Sequence, residues 1–195
     1  LFLTRTLASL YYINRIDHPA LRARSRKFTL YNGVPFVVFF LAFLIWTLVS
    51  DGYAVNPETK MIEMESYKYL TNFIEMPVVL VLFLLGVVSV LWGVIKTITN
   101  SAYDKGIWFA GSGTVVVVTM LLLVAGYNNT AYYPSYTDLQ SSLTVQNSSS
   151  SEFTLIAMSV VSLFVPVVIG YIIYAWRALE NKKVHIDDLK DGGGY

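Results

Sequence analysis

Residues 76–95 read Met-Pro-Val-Val-Leu-Val-Leu-Phe-Leu-Leu-Gly-Val-Val-Ser-Val-Leu-Trp-Gly-Val-Ile, without one ionisable side chain. A bilayer core about 30 Å thick takes roughly 20 residues of helix to cross, so this stretch is long enough to span it. Its apolar residues fall on every face rather than along one stripe, which marks a packed membrane span and not a surface helix. Residues 28–49, 107–127 and 153–176 have the same character, and none of them contains Asp, Glu, Lys or Arg. Residues 1–13 are also apolar, but at about 1.5 Å per residue they reach only roughly 20 Å and cannot cross alone.

Composition agrees with this reading. Of 195 residues 55% are apolar, the net charge is +1 and mean hydropathy is +0.54, values that exclude a disordered chain and give no basic footprint for nucleic acid. With no cysteine there is no disulfide framework, thiolate metal site or Cys nucleophile. The expectation is an all-α, polytopic transmembrane helix bundle of one partial and four full spans. Residues 1–13 are then the end of a truncated transmembrane helix and 14–27 a basic cytoplasmic loop. Residues 28–177 form a four-helix transmembrane bundle and 178–195 a flexible cytoplasmic tail. The start inside a helix, at Leu and with no signal-peptide features, reads as the C-terminal portion of a longer protein.

Lys and Arg set the expected orientation. Arg15, Arg22, Arg24, Arg26, Lys27, Lys96, Lys105, Arg177, Lys182, Lys183 and Lys190 fall in segments assigned to the cytoplasm, against Lys60 and Lys68 in loops 50–75 and 128–152, assigned outside. Aromatic residues gather at the expected interfaces, Tyr127, Tyr132 and Tyr133 outside and Trp92, Trp108 and Trp176 inside. The run Asn147 to Ser151 offers hydroxyls to cap the helix starting near Phe153. Asn128-Asn129-Thr130 and Asn147-Ser148-Ser149 fit a glycosylation pattern, which would mean nothing were the protein bacterial.

Groups able to do chemistry are few. His18 and His185 both lie in charged segments assigned to the cytoplasm, where solvated loop histidines are expected rather than haem or metal ligands. Met76, Met120 and Met158 lie in spans and read as core filler. No residue is assigned a catalytic, cofactor-binding or metal-ligating role. Arg5 is the one charge expected deep in the membrane, because ten residues of helix put it about 15 Å from Arg15. Either it meets a carboxylate or a lipid or quinone head group, or it snorkels to an interface. Asp51-Gly52 reads as a turn closing a span, and Pro166 as a kink within one. Glu75 precedes Pro77 at a helix start, where its carboxylate suits the positive end of the dipole. Ala110, Gly111, Ser112 and Gly113, with Gly86 and Gly93, permit close helix contacts.

Several strings in order resemble subunit II of the cytochrome bd-type quinol oxidases. They are Asp51-Gly52-Tyr53, then Asn72-Phe73-Ile74-Glu75-Met76-Pro77, Ala125-Gly126, Ser141-Ser142-Leu143-Thr144-Val145, the Ser148 to Ser151 run with Thr154-Leu155, and Val165-Pro166 with Tyr171. Their order matches the C-terminal half of that subunit over nearly the whole chain, up to about Asn181. The resemblance implies a haem-free bacterial inner-membrane subunit that supports a haem-bearing subunit I in quinol oxidation and dioxygen reduction. Membrane lipid and a small accessory subunit are further expected partners, and nucleic acid is not. The haems belong to the partner, and quinol is the substrate of the complex. It also makes Asn72 and Glu75, inside a shared string, the site candidates beside Arg5. The competing class is half of a transporter or channel, which would call for polar groups converging at mid-membrane.

Overall fold

The computed structural model describes residues 1–179. The expected tail from Glu180 onward, His185 included, lies outside the described residues. The chain runs through α1 (Phe2–Arg15), α2 (Pro19–Val49), β1 (Gly52–Val55), β2 (Ile62–Glu65), α3 (Lys68–Glu75), α4 (Pro77–Thr99) and α5 (Gly106–Gly126). It continues through β3 (Ala131–Tyr133), a 3₁₀ turn (Leu139–Ser141), β4 (Leu143–Thr144), α6 (Val145–Ser148), α7 (Glu152–Ser162) and α8 (Val165–Leu179). Among the described residues, α2, α4, α5 and the stretch Glu152–Ala178 are long and apolar enough to cross a membrane.

The centre of the molecule is the α4–α5 pair. Lipid tails are as apolar as Leu, so close helix packing needs small residues rather than a hydrophobic stripe. A Cβ on Gly93 would stand 2.6 Å from the Gly106 carbonyl and 2.8 Å from the Ala110 nitrogen. One on Gly113 would meet the Gly86 carbonyl at 2.7 Å. The seam expected from the small residues is therefore present, with two exceptions. Gly111 has open space beside it and Ser112 is exposed, so both face away. At the seam's edge Ser89 Oγ donates to the Phe109 carbonyl at 2.9 Å, tying the helices directly.

Helix α1 folds back on α2 through the turn Ile16-Asp17-His18. Thr6, Ser9, Leu10 and Ile13 form its buried stripe at helical spacing, while α2 buries Thr29, Asn32 and Gly33. These polar side chains satisfy themselves within their own helices: Thr6 on the Phe2 carbonyl at 2.9 Å, Ser9 on Arg5 at 2.8 Å, Asn32 on Phe28 at 2.8 Å. In a membrane that self-satisfaction lets them sit at a contact without stranding a donor. The expected loop 14–27 is mostly helix instead. His18 caps α2, its Nδ1 accepting from the Leu21 nitrogen at 3.3 Å, and Pro19 opens the first turn, so Arg22 to Lys27 ride on the first turns of α2.

Loops 50–75 and 128–152 are not irregular. Strands β1 and β2 form an antiparallel hairpin with Gly52 opposite Glu65, and β3 pairs with β4. The two loops are joined by an Ala54–Thr130 bridge, by Val55 N–H to the Asn129 carbonyl at 2.7 Å, and by the Gln140 amide, which exchanges two 2.9 Å bonds with the backbone of Ile62. They make one folded cap over the α4–α5 pair. Gly52 belongs to this packing rather than to a plain turn, since a Cβ there would stand 2.5 Å from the Lys68 Cβ. The Ser151 hydroxyl makes no capping bond to α7. A capping box forms earlier, on α6, between Thr144 and Asn147.

The last span differs from the expected four-helix bundle. None of the described residues of α7 or α8 is buried against the other described residues. It offers no small-residue seam, because a Cβ on Gly170 would meet nothing within 4 Å. Apolar surface alone gives helices little reason to associate in lipid. The internally packed part is thus α1, α2, α4 and α5. As expected for Pro166, the span breaks: at Leu163 and Phe164 the amides reach back only three residues, to Val160 at 3.2 Å and Val161 at 3.0 Å.

Replacing Gly93 by Leu should destabilise the protein by about 1–3 kcal/mol or more, because backbone atoms line the position on α5. Gly111→Ala, which meets nothing, should be neutral or gain up to about 1 kcal/mol from helix propensity. Thermal unfolding in detergent of both variants checks the contrast.

Candidate functional site at the cap end

Asn72 is fully buried on α3, where its amide closes the end of another helix. Its Nδ2 donates to the Val124 carbonyl at 2.8 Å and to Thr130 Oγ1 at 2.8 Å. Val124 lies in the last turn of α5, whose carbonyls have no intrahelical partners, so Asn72 fills that vacancy from outside the helix. Its Oδ1 accepts from Asn128 Nδ2 at 3.1 Å, and the same Nδ2 donates to Glu75 Oε2 at 2.5 Å. Thr130 Oγ1 in turn donates to the Asn128 carbonyl at 3.2 Å.

The chain reaches this arrangement because Asn128 and Asn129 both take left-handed backbone angles, with φ of 55° and 53°. Asn tolerates that region better than other residues with a side chain beyond Cβ. The double turn carries the chain from the end of α5 back over α3. Beneath it Phe73 and Phe83 stack at a tilt with centroids 5.1 Å apart, in a core with Val117, Met120 and Val124. Met120 is core filler, as expected.

On the hairpin side Lys68 is buried and pairs with Glu65 at 3.2 Å. Burial pushes the Tyr69 phenol above its ordinary pKa, with the neighbouring Tyr53 phenol adding to the effect. Its ring packs against the core that holds Phe73 and Phe83.

Of the three candidates, the structure brings Asn72 and Glu75 together and leaves Arg5 apart. Glu75 makes no capping bond to α4, whose N-cap is Met76. Its carboxylate turns to Asn128 instead. Arg5 is exposed on α1, and among the described residues no side chain holds its guanidinium. No cluster of three His, Asp or Glu stands within metal-binding reach among the described residues. The participants missed in the sequence are Asn128, Thr130 and the Val124 carbonyl. An Asn-Asn pair at the end of a span is a turn signal that could have pointed to the first.

The model for cytochrome bd terminal oxidase subunit II matches residues 1–179. The chain belongs to that family. A curated relative, the probable cytochrome oxidase subunit 2 of Haemophilus influenzae (strain ATCC 51907 / DSM 11121 / KW20 / Rd), is 26% identical over 174 residues, covering 82% of this chain and 44% of the relative. The chain therefore spans less than half the length of the curated relative it matches. Membership of the subunit II family agrees with the resemblance carried by the Asn-Phe-Ile-Glu-Met-Pro string, in which Asn72 and Glu75 sit.

Asn72→Ala should destabilise the protein by about 1–3 kcal/mol, since it leaves the Val124 carbonyl and Thr130 hydroxyl without their donor in a buried setting. Glu75→Gln should have a smaller effect because the glutamine oxygen can still accept from Asn128. Thermal melts of both variants, with the cap's own integrity followed by limited proteolysis, read the difference.

Proposed function

We propose that the chain is part of a haem-free membrane subunit of a bd-type quinol oxidase, supporting the haem-bearing subunit I in quinol oxidation coupled to reduction of dioxygen to water. The observation that carries this reading is the subunit II family match along residues 1–179. It is supported by the side chains present. The apolar stretches 28–49, 76–95, 107–127 and 153–176 contain no histidine, and His18, at the basic end of the molecule, is engaged as the cap of α2. The role left to the chain is packing, and the exposed apolar faces of α2, α7 and α8 suit partner helices and lipid.

Under the same reading the protein is a multi-pass protein of the bacterial inner membrane. Its strand-bearing cap lies outside and its basic end in the cytoplasm. The eleven-to-two division of Lys and Arg supports this orientation. So does the way hydrogen bonds group the segments: loops 50–75 and 128–152 bond to each other, while Arg26 and Asn14 bond to the α4–α5 connection at the other end. Arg5 finds its partner in another segment, a neighbouring subunit or a lipid, because a charge at its depth is costly when left alone. An accessory subunit is a further partner in this reading.

Two measurements test these proposals. The full-length protein, tagged and purified from its native membrane, should bring down a partner that carries the haem absorption. When the two are separated, haem should stay with the partner; a stoichiometric haem band following this protein would overturn the reading. For orientation, the native absence of Cys allows single-cysteine labelling. An impermeant reagent should label a Cys replacing Glu58 in intact cells and one replacing Arg24 only after permeabilisation, and the reverse pattern would invert the topology.

A further inference from the structure

Helix α1 has two opposite faces. Thr6, Ser9, Leu10 and Ile13 are buried, whereas Leu1, Thr4, Arg5, Ala8 and Tyr12, spaced so as to fall on one side of a helix, are exposed. Depth along α1 follows from its contacts. The Phe2 ring stacks on that of Phe39 with centroids 5.7 Å apart, and Phe39 stands at the middle of the uncharged run 28–49. Leu3 borders one cleft with Val87 of α4 and Val117 of α5, each near the middle of its own apolar run. Three helical residues on from Phe2, Arg5 is therefore within about 5 Å of the bilayer midplane. We infer that the exposed face of α1 seats a further membrane helix, which carries an Asp or Glu at this depth as the ion-pair partner of Arg5. This deepens the reading given above, from which it takes only the membrane itself.

Distance removes a lipid head group as the partner. The basic end of α1, at Arg15, is about 15 Å further along the helix, and an arginine side chain, with bonds of about 1.5 Å in a zigzag, reaches about 7 Å. Helical Cα–Cβ bonds tilt toward the helix N-terminus, so the Arg5 side chain also sets out away from that end. The described acids are equally out of reach. Asp17 and Asp104 lie at the basic end, and the rest lie in or beside the strand-bearing cap. Residues 180–195 hold four acids and three Lys in sixteen positions, too short and too charged for a membrane helix. A carboxylate on a neighbouring helix meets every requirement. It cancels the charge, and its two oxygens accept the paired N–H bonds of the guanidinium. Thr4 and Ala8, beside Arg5 on the same face, are small enough for the backbone of a second helix to come close and shield the pair from lipid.

The test uses the full-length protein in its purified membrane complex. Benzoylphenylalanine placed at Ala8, with Arg5 intact, should photocrosslink to an apolar span that has an Asp or Glu near its middle, and sequencing the crosslinked peptide identifies that acid. Arg5→Leu should lower the melting temperature of the complex, because it strands a carboxylate in the membrane, and Arg5→Lys should keep most of the stability. Were Arg5 to face lipid, losing so costly a charge would instead raise the melting temperature. Changing the identified acid to Leu together with Arg5→Leu should recover the loss, since a buried pair replaced by apolar side chains leaves no charge stranded. Crosslinks to lipid alone, to a span without an acid or to residues 180–195, or a melting temperature that Arg5→Leu leaves unchanged or raises, would overturn the inference. The crosslink reads this interface in whatever complex is purified, so the absence of a haem-bearing partner would sink the function proposed above without touching the pairing of Arg5.

Discussion

The close approach of α4 and α5 is the constraint on which the remaining structure depends. Both helices are apolar all round, so nothing about their hydrophobicity selects one rotational setting over another. Gly86 and Gly93 on one helix, facing Gly106, Ala110 and Gly113 on the other, bring backbone against backbone and leave room for a single setting. Helices α1 and α2 pack on a pair whose orientation is already decided, and the cap takes its position from where the pair ends.

Those ends are closed in the same manner at both faces of the membrane. Arg26 of α2 donates from Nε to the Thr97 carbonyl at 3.1 Å, in the last turn of α4, and its Nη2 reaches the carbonyls of Ser101 and of Tyr103. Asn72 of α3 does the same for the last turn of α5. A helix end near a membrane surface has orphan carbonyls that lipid cannot satisfy, and each is met by a side chain carried on a different element. Each of these helix ends is thereby made dependent on tertiary structure.

What could be read from the sequence follows from which physical signals are local. Spans of twenty apolar residues, the Pro77 start, the Pro166 break and the glycine seam are each visible in a short window, and each is present in the structure. The cap was not legible, because short strands such as β3 and β4 gain their pairing from residues ten or more positions away and have no long periodic pattern. The segment after Arg15 departs from the expected loop for a different reason. Its charges suggested a loop, but helix propensity is good for Arg, Lys, Ala and Leu, and a His cap with Pro at the first position starts the helix well before the apolar run. At the site, Asn72 and Glu75 stood in one string, whereas Asn128 and Thr130 come from 53 or more residues further on and enter only through the left-handed turn after α5.

The isolation of the last span has a consequence for how its residues can change. A Leu in a packed core leaves a void when shortened to Ala, and the void adds to the lost transfer energy. Along α7 and α8 none of the described side chains is buried by the other described residues, so shortening them opens no enclosed void among those residues. Residue volume there is answerable to whatever lies alongside in the bilayer. The two regions therefore answer to different neighbours, the α4–α5 seam holding its glycines by backbone contact within the chain and the last span by what stands beside it in the bilayer.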